Sequence, residues 1–430
     1  MTKFTHENGG LQMILNKRRH LIVTFSLVFL AGLCGIVASE PTKVVIMSRT
    51  DYEYPVFDDY MIELFQKENP DIVVERLGTS SSEQRMKVYI AGGQQLDICV
   101  MDPYIVLSMA RDGLAAPITE FVRREPRFNY WYPPILEAYT FRGELYALPR
   151  DLQLPGVFVN VTAFHEAGLT VPRTHWTYED VKSTAVKLQK VDADGTITRW
   201  GWKLPTWRNW VPIIWGHGAD FVDSWTDPTR FTGNTSQMHD ALNFMRSLVE
   251  VGAITGQAEH GKKTPSKAFL DQTNAMVNTN TVVMPLFKSV TDFEWDVAPA
   301  PYGPAGRKPF FNALAWVMLS GAKDKEATWK VMNFLTSEKA MTTMADLLGV
   351  VPPDRRYAQY WVRLHDAPQN RAILFEDLDS AGYPGTLENE LYKIVEAETL
   401  AATWGTKPVS AAIETMQQLA NVRLRELANW

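Results

Sequence analysis

Between residues 43 and 113 the apolar pattern alternates between strand and helix period through six segments. Lys43-Val44-Val45-Ile46-Met47-Ser48 is a short, nearly continuous apolar run, of the kind buried on both faces of a parallel sheet. Tyr60, Met61, Leu64 and Phe65 then recur at helical spacing, and Asn69-Pro70 stops that helix. Ile72 to Leu77 reads as a second strand and residues 82–91 as a second helix, ending at Gly92-Gly93. Leu96 to Met101 is a third strand. Ile105 to Asp112 is a third helix, stopped by Gly113. This order predicts a parallel, doubly wound α/β sheet.

Helical patterns continue beyond residue 151. Thr177 caps a helix with Asp180 three residues on and Val181, Ala185 and Leu188 as its apolar stripe. Further helices are predicted at 236–251, 265–272, 324–336, 338–347, 387–402 and 409–427. No tandem repeat or low-complexity linker divides the chain. Its 430 residues suffice for two α/β lobes joined by strands that cross between them.

The N-terminus has the layout of a cleaved signal peptide. Lys17, Arg18 and Arg19 precede an uncharged run from Leu21 to Ala38, and Val37-Ala38-Ser39 offers a cleavage site before Glu40. Residues 1–39 are therefore expected to be a leader, with a lipid anchor on Cys34 and an uncleaved anchor as the weaker readings. Met13 is an alternative start. Export places the protein in the periplasm or outside the cell. Only Cys34 and Cys99 occur, so the mature chain holds one cysteine and no internal disulfide. Cys99, inside an apolar run, reads as a buried thiol.

The chain has a net charge of −6. Removing residues 1–39, which carry Lys3, Lys17, Arg18 and Arg19 against Glu7, leaves −9. With no basic run in the mature part, nucleic acid is a poor partner.

Open α/β sheets bind ligands beyond the carboxyl ends of their strands. Those loops contain Arg49, Asp51 and Tyr52, then Thr79, Ser80 and Ser81, then Asp102 and Tyr104. In the stretch FRGELYALPRD (141–151), Tyr146-Ala147-Leu148 delivers Arg150, Asp151 and Gln153 to the same edge. A second cluster follows at 200–215, where Trp200, Trp202, Trp207, Trp210 and Trp215 surround Arg208. Sugars present C–H faces that stack on aromatic rings and hydroxyls that need charged or amide partners. Trp202 and Trp215 read as core. Catalytic signatures are missing: His165-Glu166 lacks a second His, and neither a Gly-x-Ser-x-Gly elbow nor a P-loop occurs. Asp192-Ala193-Asp194-Gly195 reads as a hairpin turn rather than a calcium loop.

Several segments, in this order, resemble the family 1 extracellular solute-binding proteins, the maltose-binding-protein-like sugar receptors of ABC importers. They are Leu96 to Asp102 with Arg111 to Ile118, Gly143 to Pro149, Val157 to Asn160 with Ala167-Gly168-Leu169, Asn274-Ala275-Met276, Val297 to Pro301, and Trp329 to Ser337. One departure is Phe310-Phe311-Asn312-Ala313, where the family commonly has a Gly pair.

The resemblance implies a two-lobe, type II periplasmic-binding-protein fold with parallel-rich sheets and three crossing hinge strands, near Leu148–Leu152, Pro309–Asn312 and Val350–Pro353. The N-terminal lobe would comprise 40–150 and 313–350, and the C-terminal lobe 151–312 and 351–430. The implied function is capture of a mono- or oligosaccharide in the interlobe cleft by hinge closure, without catalysis, cofactor or metal. The implied partners are the carbohydrate and the permease subunits of an importer, with the receptor itself a monomer. Asp102 matches the family's sugar-contacting acid, although its place also suits a helix N-cap. Trp207 and Arg208 align with sugar contacts of the C-terminal lobe, and Tyr383 with a stacking aromatic. The ligand-binding set is thus Arg49, Asp51, Tyr52, Ser80, Asp102, Asp151, Gln153, Trp207, Arg208 and Tyr383. Asp151 reads alternatively as a partner in a hinge salt bridge. Two other functions remain open. One is a receptor for a polar non-sugar ligand, such as a glycerophosphodiester or polyamine, held by Arg49, Arg208 and Arg355. The other is a secreted carbohydrate-active enzyme built on Asp102 and Asp151.

Overall fold

Strand β1 (Thr42–Arg49) lies between β2 (Ile72–Thr79) and β3 (Ile98–Met101), and all three run parallel. The computed structural model describes the chain from Glu40 to Ala428 apart from residues 51–53, 80–81, 288 and 365–367. For Ser82 and Trp207 it describes the backbone alone. The expected leader with Cys34, and the site candidates Asp51, Tyr52 and Ser80, lie outside the described residues.

Helix α1 (Tyr54–Glu68) buries Phe57, Met61, Ile62 and Phe65 against this sheet. Asn69 ends it by donating from Nδ2 to the Phe65 carbonyl at 2.9 Å, just before Pro70. Helix α2 (Ser82–Ala91) and helix α3 (Pro103–Arg111) complete the predicted alternation. The third strand and its helix each begin later or earlier by two residues than their patterns suggest, an ordinary boundary error. Cys99 is fully buried, and burial pushes its thiol up.

After β4 (Ala147–Pro149) the chain leaves this sheet and builds a second one from β5 (Pro155–Asn160), β6 (Ile197–Lys203), β7 (Asn274–Asn280) and β8 (Trp295–Ala298), with the two-residue strand Lys190–Val191 at the edge beside β6. It then returns as β9 (Ala315–Met318), which inserts antiparallel between β3 and β4. In the second sheet only β6 and β7 run parallel. Strand β5 is antiparallel to both β7 and β8. Parallel pairing therefore dominates only the three opening strands, and the second sheet is mixed.

Strand β5 shows how the sheet divides the interior. Its period of two sends Val157 and Val159 to one apolar cluster and Phe158 to another. The first of these clusters holds the second lobe's helices, including α4 (Tyr178–Leu188) with its Thr177–Asp180 capping box and fully buried Val181, Ala185 and Leu188. The other continues through Leu152, Leu154 and Phe311 into the core of the first sheet. Gly201 on β6 is required by a close approach: a Cβ there would stand 1.8 Å from the Ala185 carbonyl oxygen of α4. The Asp192–Thr196 stretch forms the expected hairpin turn, with Gly195 at φ +87°. His165 is exposed on a short helix. No described helix is long and apolar enough to cross a membrane.

Three segments connect the sheets, and they are hydrogen-bonded to one another. Leu152 and Val351 exchange backbone bonds at 2.8 and 3.3 Å, and Gln153 and Asn312 at 2.7 and 3.0 Å. Arg150 donates its amide to the Leu314 carbonyl at 2.7 Å. Its guanidinium is buried, bonded through Nη2 to Asp58 of α1 at 2.6 Å, with Tyr54 and Trp316 rings at 4.1 and 4.8 Å.

Taking one member from a buried ion pair strands the other charge, at a cost of about 3–5 kcal/mol, whereas an apolar pair is nearly neutral. Asp58→Leu is therefore expected to lose about that much stability in urea unfolding. The double variant Asp58→Leu/Arg150→Met is expected to recover most of it. A double variant as unstable as the single one would contradict the pairing.

Candidate functional site

The carboxyl ends of β1, β2 and β3 bring Arg49, Thr79 and Asp102 to one edge of the first sheet. Asp102 occupies the N-cap position of α3, with extended dihedrals, but its carboxylate makes no capping bond. The helix is started instead by the Asp102 backbone carbonyl, which accepts from Ile105 and Val106 at 3.0 and 3.1 Å. Pro103 at the first helical position needs no acceptor.

Arg208 comes from the second lobe, in a 3-10 turn over Trp207–Trp210. Its side chain is buried at 1% exposure, which is low enough to require internal partners. Nη2 donates to the Leu387 carbonyl at 3.0 Å. The guanidinium carbon sits 4.1 Å from the centre of the Tyr392 ring and 5.0 Å from that of Tyr104 on α3. Burial pulls this guanidinium below its usual value, while Tyr392, Tyr104 and Asp102 act in the opposite sense. The same field acts on Tyr104, whose phenol is pushed up by burial and by Asp102, and pulled back by Arg208 and Arg49. Asp102, Tyr104, Arg208 and Arg49 thus form one electrostatic group spanning the two sheets' loops.

Two further contacts cross the same gap. Tyr383 donates from its hydroxyl to Glu137 at 3.4 Å; burial and Glu137 push its phenol up to about 12. Arg142 pairs with Asp227 at 3.3 Å on the surface.

The crossing segments carry two further candidates, Asp151 and Gln153. Asp151 is fully buried. Its Oδ2 accepts from the Tyr54 hydroxyl and its Oδ1 from the Leu314 amide at 3.0 Å. Burial raises its pKa; Tyr54, the Leu314 amide and Arg150 oppose that rise. Arg150 itself pairs with Asp58 and not with Asp151. Gln153 is half-buried and accepts from Asn280 Nδ2, at the end of β7, at 3.3 Å.

The structure thus brings Arg49, Asp102 and Arg208 into one electrostatic group with Tyr104, places Asp151 and Gln153 on a crossing strand, and sets Tyr383 against Glu137. The backbone of Trp207 lies beside Arg208. Of the tryptophan cluster, Trp202, Trp210 and Trp215 are core residues of the second lobe. Sequence reasoning missed Tyr392 and Asn280, and noted Tyr104 and Asn312 without selecting them. Only tertiary structure brings them together, although Tyr104 follows a strand end as the other candidates do. Among the described residues no group of three or more His, Cys, Asp or Glu side chains is placed to hold a metal.

The chain matches the family model of bacterial extracellular solute-binding proteins over residues 48–342, and it belongs to that family. A binding protein of Brucella abortus strain 2308 is 20% identical over 358 residues, covering 80% of this chain and 85% of that protein. Among solved structures, the ABC substrate-binding protein Lmo0181 from Listeria monocytogenes, in complex with cycloalternan, superposes with a TM-score of 0.76 at 20% identity. It covers 89% of this chain and 99% of its own. The cyclic alpha-maltosyl-1,6-maltose binding protein from Arthrobacter globiformis gives 0.75 at 17% identity, over 90% and 100%. These likenesses establish the two-lobe substrate-binding-protein fold.

Because folding raises Asp151's pKa, its contribution to stability is present below the unfolded carboxyl value, about 3.9, and is lost as pH rises through the folded value. Asp151→Asn removes the buried charge while keeping the size and the acceptor for Leu314. Relative to wild type, this variant is expected to gain stability as pH rises from 4 to 8 in urea unfolding. A difference independent of pH would mean that Asp151 does not titrate as a buried acid.

Proposed function

We propose that the protein is the receptor of a carbohydrate ABC importer, capturing a mono- or oligosaccharide between two lobes that close on it. The lobes are 40–150 with 313–350, and 151–312 with 351–430, and the three bonded crossings are their hinge. Residues 1–39 export the protein to the periplasm or cell exterior, where it acts as a monomer that delivers its ligand to permease subunits.

The observation that carries this proposal is the setting of Arg208, between the Tyr392 and Tyr104 rings and within the field of Asp102. Aromatic faces beside charged groups and amides are what a sugar's C–H faces and hydroxyls require. Asp102, Gln153 and Arg208 supply hydrogen bonds, and Arg49, Asp51, Tyr52, Ser80, Trp207 and Tyr383 complete the set. Family members of this fold are described with cycloalternan, acarbose, maltose and mannotriose.

A phosphodiester reading needs buried arginines without facing aromatics. Arg208 is faced by two rings, and Arg355 pairs with Asp379 at 2.7 Å. An enzymatic reading needs Asp151 as acid or nucleophile, and both its oxygens already accept protein hydrogen bonds.

Thermal-shift measurement with maltose, mannotriose, cycloalternan and acarbose tests the proposal. A sugar at 100 times its dissociation constant is expected to add about 2.7 kcal/mol. With a binding sugar, Arg208→Met is expected to weaken affinity by about 10–100-fold, a loss of about 1.4–2.7 kcal/mol. Trp207→Ala is expected to cost about 1–3 kcal/mol of binding while leaving the fold intact. Failure of all four sugars to stabilise the protein would count against the carbohydrate reading.

A further inference from the structure

The crossing segments contain an amide that the protein leaves unmatched. Asn312 is buried at 6% exposure, yet neither its Oδ1 nor its Nδ2 has a hydrogen-bond partner. A buried carboxamide carries two donors and an acceptor, and leaving them unmade is costly. The neighbouring amides behave differently. Gln153 and Asn280 bond to each other at 3.3 Å.

The backbone settles which way Asn312 faces. Gln153 and Asn312 are directly opposed in an antiparallel bridge, so their side chains leave the same face of the crossing strands. The residues on either side, Leu152 and Leu154, Phe311 and Ala313, lie in the apolar core behind that face. Gln153 is only half-buried, so the face it shares with Asn312 is the less enclosed of the two.

We propose that Asn312 is a specificity-determining residue. Its carboxamide reads a pair of adjacent hydroxyls on the ligand, donating from Nδ2 to one and accepting at Oδ1 from the other. This proposal rests on the carbohydrate reading above and adds to it the group that selects among sugars. A site that hydrogen-bonds a hydroxyl discriminates strongly against an analogue lacking it, because the protein group is then buried unpaired. Asn312 makes no side-chain hydrogen bond within the protein.

The test compares wild type with Asn312→Leu, using thermal melting without sugar and calorimetric affinity for maltose, mannotriose, cycloalternan and acarbose. Leucine has a similar shape and no polar atoms. If the amide exists for the ligand, the variant without sugar is expected to melt at or above the wild-type temperature. Its affinity for whichever probe binds wild type is expected to fall 10–100-fold. Asn312→Ala, which introduces no new bulk beside Gln153, is expected to show the same affinity loss and serves where the leucine variant does not fold. Unchanged affinity in a folded variant overturns this inference and leaves the carbohydrate reading standing. So does a lowered melting temperature with unchanged affinity, the result expected of an amide satisfied by buried water. Wild type that binds none of the four probes overturns the carbohydrate reading, and this inference with it.

Discussion

Four consecutive residues, Arg150 to Gln153, carry the constraint on which the rest of the molecule depends. The chain must leave one sheet and enter another through the middle of the protein, where every polar group needs a partner. Arg150 is neutralised by Asp58 and covered by Tyr54 and Trp316. Asp151 is held by Tyr54 and the Leu314 amide. Leu152 and Gln153 use their backbones to bind the other two crossings, through Val351 and Asn312. Tyr54 serves both charged neighbours, with its ring against Arg150 and its hydroxyl on Asp151. That makes the first turn of α1 part of the crossing, although it lies almost a hundred residues earlier.

This arrangement explains how the two lobes remain in register while forming a cleft. The apolar cluster behind the crossing strands is continuous from β1 to Phe158 and Val277 on the second sheet. Its continuity fixes the back of the molecule. Other contacts between loops of the two sheets are polar and aromatic: Arg208 against Tyr104, Tyr383 to Glu137, and Arg142 to Asp227. The Arg142–Asp227 pair is solvated and therefore weak, so it separates at lower cost than the core does. Closure and opening in the proposed mechanism would exchange these contacts and leave the crossing strands bonded.

Much of this was legible in the sequence. The strands and helices of the first lobe fall where the periodicity places them, because each has a single buried face and a clear stop, as at Asn69-Pro70. The Thr177 capping box and the core positions of Trp202 and Trp215 were equally readable. The partners of charged groups were not. Arg150 and Asp151 are adjacent, and local reasoning pairs them with each other. Their actual partners, Asp58, Tyr54 and Leu314, come from segments about a hundred residues before or more than a hundred and sixty after. The preference for parallel pairing likewise failed in the second sheet, since β5 enters it from the crossing and its direction is set there. Tyr392 and Asn280 carry no local mark at all. Asn312 carried one, as part of Phe310-Phe311-Asn312-Ala313 where the resemblance leads one to expect glycine, but nothing in the pattern said that its amide would be unpaired.

The polar groups at the crossing therefore divide by what they do. Asp151, Gln153 and Asn280 have protein partners, and their first contribution is to hold the crossing strands and the end of β7 in place. A ligand that bonded to Asp151 would have to compete with Tyr54 or the Leu314 amide, gaining one hydrogen bond while another is strained or lost. Asn312 has no such competitor, so a hydrogen bond formed there adds its full value to binding. On the proposed reading, satisfied groups hold the geometry of the crossing strands, and the unsatisfied one selects the ligand. Stability and selectivity are thereby assigned to different side chains on the same pair of strands, separated by a single residue-to-residue bridge.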